Sequence, residues 1–218
     1  MRKIGIVGIA VSLAGLVALT ATTRVAADGH DDDSYRCNNQ TLTSTTIHGN
    51  VVVPPGAFCD LVGSRITGSV EIQRSGGLSL DAASSVDRNV IDGRDAQVVL
   101  FNGSTVGGSI WCSKCSAADL HDSTVWGSLY DNGLTFGADL TNSQIHGSLS
   151  ISHSQDGGFG FSFTGNTIGE DFSFADNTGS STMSGNTIED ELNCRGNTPP
   201  PAGGGNTAAE KEGQCAGL

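Results

Sequence analysis

Positive charge is the first thing this chain lacks. Its 218 residues hold 11 lysines and arginines against 23 aspartates and glutamates, a formal charge of −12. Binding a phosphate backbone needs clustered Lys and Arg, so a nucleic-acid partner is excluded. The acid excess favours solubility and a weak attraction for cations. Aromatic residues are also scarce, at 6%. Gly, Ser, Thr, Asn and Asp recur throughout, a composition that suits disorder, but Val, Ile and Leu are spaced too evenly for it. Unbroken helical stretches of ten or more residues are missing, which excludes an α-solenoid. Beyond residue 20 no segment is apolar enough to cross a bilayer.

What is present begins with a leader. Arg2 and Lys3 precede an apolar run from Ile4 to Thr20, and Val25-Ala26-Ala27 offers small residues before an expected cut after Ala27. Residues 1–27 therefore read as a signal peptide. The glycines within the run and the absence of a basic stop-transfer flank weigh against a retained anchor. The first cysteine is Cys37, so no cysteine stands at the cut for a lipid. The expectation is a secreted chain with no membrane attachment after cleavage. Removing Arg2, Lys3 and Arg24 leaves 8 basic residues against 23 acidic ones, a formal charge of −15.

Residues 28–36 then form an acidic tail that opens Asp28-Gly29-His30. A free amine, two amide nitrogens and a third-position imidazole can wrap Cu(II) or Ni(II) in a square-planar site. The plainer reading is a solvated terminus that contains a histidine. No other cofactor is implied.

The body of the chain repeats. The pattern [Ile/Val]-x-Gly-[Ser/Asn]-[Val/Ile/Leu] starts at Ile47, Ile66, Val106, Val125 and Ile145, with degenerate copies at Val86, Ile168 and Ile188. Successive starts are 19, 20, 20, 19, 20, 23 and 20 residues apart. Five or six residues before each start stands Leu42, Leu61, Leu80, Leu100, Leu120, Leu140, Phe163 or Met183. Short period-2 runs separated by turn residues at this spacing predict a β-solenoid of eight coils over 37–198. At strand spacing, eight coils make a rod roughly 40 Å long. Leucine-rich repeats share the length but not this pattern.

In such a stack the Ile/Val and the residue four later point inward, with the Leu column on a neighbouring wall. The Gly between them permits close backbone approach. Two residues before each start runs a polar column of Thr45, Ser64, Ser84, Ser104, Ser123, Ser143, Asn166 and Asn186. It reads as a hydrogen-bonding ladder, and a serine nucleophile there has no His-Asp company.

These IxGSV and LSL pieces resemble bactofilin, a bacterial right-handed β-helical polymer. The GNVVVPPGAFCDL segment (49–61) and the terminal KEGQCAGL (211–218) are more similar to uncharacterised secreted proteins of actinobacteria. The resemblance spans about residues 37–218 and implies an all-β, right-handed parallel β-helix and export, with no catalytic residue carried over. AADLHDSTV (117–125) and GADLTNSQI (137–145) resemble pentapeptide repeats, whose acidic rods can imitate DNA. The five-residue pattern lasts about two units per coil and is absent elsewhere, so that reading is set aside. Unlike bactofilin, this chain has cysteines placed to close both ends. Cys37 and Cys59 can pin an N-terminal cap, and Cys194 and Cys215 can clasp a Pro/Gly-rich tail over 199–218. Capped ends argue for a monomer or small oligomer.

Trp111-Cys112-Ser113-Lys114-Cys115 resembles the thioredoxin motif but has no helix pattern behind it. A local Cys112–Cys115 disulfide clamping one corner is the expected state, with redox activity as the alternative. Zinc lacks ligands, since two cysteines supply half a site and the others lie coils away. Trp111 and Tyr130 share one outward column, Trp126 and His146 another, and the four are candidates for one aromatic platform. Stacked rings on a rigid β face suit sugars or a protein partner, here a cell-envelope polysaccharide or protein.

Ice binding fails for want of a regular Thr array. A polysaccharide-acting β-helix enzyme is the class alternative, and its site would need convergent acids. The dense acid/base spot is Asp87, Arg88, Asp92, Arg94 and Asp95, with Arg88 expected to meet Asp92 or a neighbour in a salt bridge. The preferred reading is not an enzyme: a secreted structural or binding module.

Overall fold

A computed structural model describes the backbone of Arg24–Ala26 and all of residues 34–218. The expected signal peptide, residues 1–27, otherwise lies outside the described residues, as does the Asp28-Gly29-His30 motif. The described residues contain strands and no helix. Three parallel sheets stack into a β-solenoid. Sheet I holds the short strands that begin each repeat, such as Thr124–Val125 and Gln144–Ile145. Sheet II follows the Gly-Ser corner, as in Ile110–Ser113 and Leu129–Asn132. Sheet III carries the Leu column, as in Ala117–His121 and Ala138–Thr141.

The register is the one the periodicity predicts. Val86 pairs with Val106, Val125 with Ile145, and Leu100 with Leu120, each about 20 residues on. From Ile47 to Ile188 the inward Ile/Val column is at most 3% exposed, and the column four residues later is fully buried from Val51 to Leu192. The end of the stack shows at Leu42, which is half-buried because no complete coil covers it. The strand Arg24–Ala26 lies beside Thr46–His48 at this end, within the expected signal peptide.

Each coil turns from sheet III to sheet I through a left-handed residue, preceded by a second one at Ala82 and at Asn102. That position is Ser44, Gly63, Ala83, Gly103, Asp122, Asn142, Gly165 and Gly185 in succession, with φ between 49° and 76°. Gly, Asn and Asp tolerate this conformation best, which explains the composition of the corner. Directly after it comes the polar column. Asn166 and Asn186 each accept from a backbone amide of the preceding coil and donate to a carbonyl of that same coil. Thus Ser143 N–H donates to Asn166 Oδ1, and Asn166 N–H to Asn186 Oδ1. Their amide groups donate to Leu140 and Phe163 carbonyls. The ladder continues to Asn206.

The stack has about nine turns, one more than the sequence repeat suggests. Residues Ala202–Gly204 and Glu210–Gly213 add strands to sheets III and II, and Thr207 bridges Thr187. Gly203 and the half-buried Ala208 stand where earlier coils place Met183 and Ile188. The ninth turn escapes the pattern because its core residues are too small to register as a hydrophobic column.

All three cysteine pairs close as disulfides between the partners drawn from the sequence: Cys37–Cys59, Cys112–Cys115 and Cys194–Cys215, with Cα separations of 5.6, 5.7 and 5.2 Å. Such separations are ordinary for a disulfide.

Candidate functional site

The acid/base spot around Asp87 disperses. Asp87 lies on the outer face of sheet I, where Arg65 donates to it at 2.7 Å. Asp92 points inward and is 5% exposed. Among the described residues Arg88 forms no ion pair, so the salt bridge expected with Asp92 is replaced by Arg65–Asp87. Period-2 alternation decides this. Asp92 shares its face with Val90, and Arg88 stands at a corner where neighbouring coils carry Gly.

The four platform residues form two pairs on two sheets. Trp126 and His146 stack beside sheet I with ring centroids 4.2 Å apart and planes within 3°. Trp111 and Tyr130 meet on sheet II at 5.3 Å, tilted by 52°. The Gly127-Ser128 corner lies between the two columns. A β-carbon on Gly127 would overlap the Gly108 backbone of the preceding coil, so position 127 admits no side chain without a shift of that backbone. Trp111 and Trp126 are each about half exposed, at 52% and 59%.

The outer face of sheet III holds a more enclosed arrangement. A groove of about 570 Å³ runs over the strands Ala117–His121 and Ala138–Thr141. Asp119, His121, Asp139, Gln97 and Ser162 make its polar floor, and Phe136 and Phe159 stand over one side. Alternation along sheet III places Asp119 and Asp139 outward, side by side in register. Asp139 N–H donates to Asp119 Oδ1 at 3.2 Å, and Thr141 hydroxyl donates to Asp139 Oδ1 at 3.1 Å. His121 Nε2 lies 3.8 Å from Asp139 Oδ2, and the His121 ring stacks on Phe101. Partial burial holds the Asp119 carboxyl above its ordinary pKa, with the Asp139 amide pulling the other way.

The aromatic wall comes from an irregularity in the repeat. The step from Ile145 to Ile168 is 23 residues, and register places the three extra residues between Gln155 and Phe161. They form the turn Asp156–Gly160, which lifts Phe159 to 83% exposure beside Phe136, their centroids 6.2 Å apart. Asp156 pins the turn by accepting from the Gly158 and Ser180 amides, both at 3.0 Å. These bonds hold its carboxyl below its ordinary pKa. The 23-residue step was the available signal for this site. A longer coil among regular ones marks an inserted surface turn.

A second missed feature lies inside. Six residues after each start runs the column Val53, Ile72, Asp92, Cys112, Asp131, Ile151, Phe174 and Cys194, paired coil by coil along sheet II. Two aspartates interrupt an otherwise apolar column. Burial pushes the carboxyl pKa of each up to about 8, and Asp92 adds to the shift of Asp131.

No protein-family model, curated protein or solved structure matches this chain. Among the described residues no helix is long and apolar enough to cross a membrane.

Proposed function

We propose that this protein is a secreted, non-catalytic β-solenoid that binds glycan in the groove on sheet III. The observation that carries the reading is the pair Phe136 and Phe159, exposed on an inserted turn above a floor of polar side chains. An exposed apolar ring beside hydrogen-bonding groups matches the two faces of a sugar, and the groove volume lies in the range of small-ligand sites. Asp119 and Asp139 in the floor, on a chain of formal charge −12, favour neutral or amino sugars over anionic ones. Three disulfides support an oxidising, extracellular setting. The partner is then a cell-envelope polysaccharide. The Trp126–His146 and Trp111–Tyr130 pairs, outside this groove, are additional surfaces for a protein.

The chain, applied to an array of neutral, amino and anionic oligosaccharides, should select among the first two classes, and Phe159→Ala should abolish the signal. Selection of acidic glycans, or a signal that survives Phe159→Ala and follows Trp126→Ala, would place the binding surface elsewhere. One observation favours a second reading. Asp119 with a raised pKa beside Asp139 and His121 has the composition of a general acid and base pair in a polysaccharide-acting enzyme. Release of new reducing ends from a bound oligosaccharide, lost in Asp119→Asn, would establish it in place of simple binding.

A further inference from the structure

The interior of sheet II contains chemistry that a surface-binding role does not use. Asp92 and Asp131 are 5% and 3% exposed, and Cys112 stands between them in the same column. Asp92 Oδ1 and both carboxylate oxygens of Asp131 lack a hydrogen-bond partner among the described residues. Asp92 Oδ2 lies 3.7 Å from Cys115 Sγ. One donor atom each from Asp92, Cys112 and Cys115 falls within 4.8 Å of the others. In the same coils the facing column of sheet III narrows from Leu78 and Val98 to Ala118 and Ala138.

Carboxylates stripped of water and left unpaired are strongly destabilising, and cores tolerate them where a proton or a cation compensates. Here the Asp92 carboxylate lies against the two sulfurs and Asp131 follows Cys112 in the same column, with apolar Ile72 and Ile151 beyond them. Two sulfur donors and carboxylate oxygen in a small dry site suit a d¹⁰ ion of zinc's class rather than calcium or magnesium. Zn–S bonds of about 2.3 Å and Zn–O bonds of about 2.0–2.2 Å put tetrahedral donors roughly 3.5 Å apart.

We propose that, when Cys112 and Cys115 are reduced, Asp92, Cys112 and Cys115 bind one zinc ion inside the solenoid, with Asp131 turning in as the fourth donor. The Cys112–Cys115 disulfide is the metal-free alternative state of the same site. A dithiol reductant delivers two electrons and two protons to the S–S bond and is itself oxidised to a disulfide. Zinc then displaces both thiol protons and the Asp92 carboxyl proton, so two positive charges face three negative ones and the site keeps one net negative charge, with Asp131 donating as the neutral acid.

Cobalt(II), which reports tetrahedral thiolate ligation by its visible and charge-transfer bands, tests this on the full chain reduced with a dithiol under argon. One cobalt per chain is expected, displaced by zinc. The thiolate band should vanish in Cys112→Ser, persist in Cys194→Ser, and require at least tenfold more cobalt in Asp92→Asn. No thiolate band in the reduced wild type, or an unchanged titration in Asp92→Asn, would overturn the proposal, and so would equal loss in Cys194→Ser. Because reduction also opens the two end clasps, a second measurement uses chain refolded from denaturant under dithiol with zinc and weighed by native mass spectrometry. It should gain one zinc, and absence of uptake, whether or not the strands return, overturns the proposal.

Discussion

At the scale of single residues, the solenoid is a sorting of neighbours. Val125 is fully buried and Thr124, one position earlier, is half outside. Val125→Asp leaves an unpaired charge in the core, costing several kcal/mol, and should abolish the cooperative thermal transition seen by circular dichroism. Thr124→Asp should melt within a few degrees of wild type. The same sorting turns Asp92 and Asp131 inward, and their carboxyls titrate near 8 instead of 3.8. A folded-state pKa above the unfolded one means the native protein holds the extra protons, so the contribution of these two groups to stability is fullest below about pH 4 and is lost as pH rises through about 8. In the disulfide-closed protein the melting temperature should therefore decline across that window. Asp92→Asn with Asp131→Asn should flatten the decline, whereas a profile unchanged by both substitutions would show that the two acids do not carry it.

At the scale of the coil, polar ladders satisfy the corners that the hydrophobic columns leave open. Asn186 receives the Asn166 amide and donates to the Phe163 carbonyl and to Asn206. Asn186→Ala strands buried backbone groups, each worth about 1–3 kcal/mol, so urea unfolding should show a loss of at least 2 kcal/mol. A smaller loss would mean that water replaces the amide. This ladder was legible in the sequence as a column of Ser and Asn two residues before each Ile or Val. A second ladder, Ser154–Asn177–Asn197–Gln214, was not, because it exists in the last four coils alone and has no long repeat to announce it. The inward aspartates were also readable, six residues after Val86 and Val125, once that position is counted as core. The aromatic groove was harder to read. Phe136 and Phe159 are not in register, and they meet because the inserted turn folds back toward the preceding coil.

At the scale of the whole molecule, about nine turns at strand spacing make a rod roughly 43 Å long, clasped near each end by a disulfide. The rigid stack holds the floor of the groove, and one irregular turn supplies its wall. Shortening Asp156–Gly160 to the two residues that neighbouring coils use should leave the strands, the disulfides and the melting temperature in place while removing Phe159. Isothermal titration of this variant against wild type, with the neutral or amino oligosaccharide that the array selects, is the most direct measurement. Binding in the groove predicts an affinity at least tenfold weaker in the shortened chain. An unchanged affinity, with the fold intact, would contradict it.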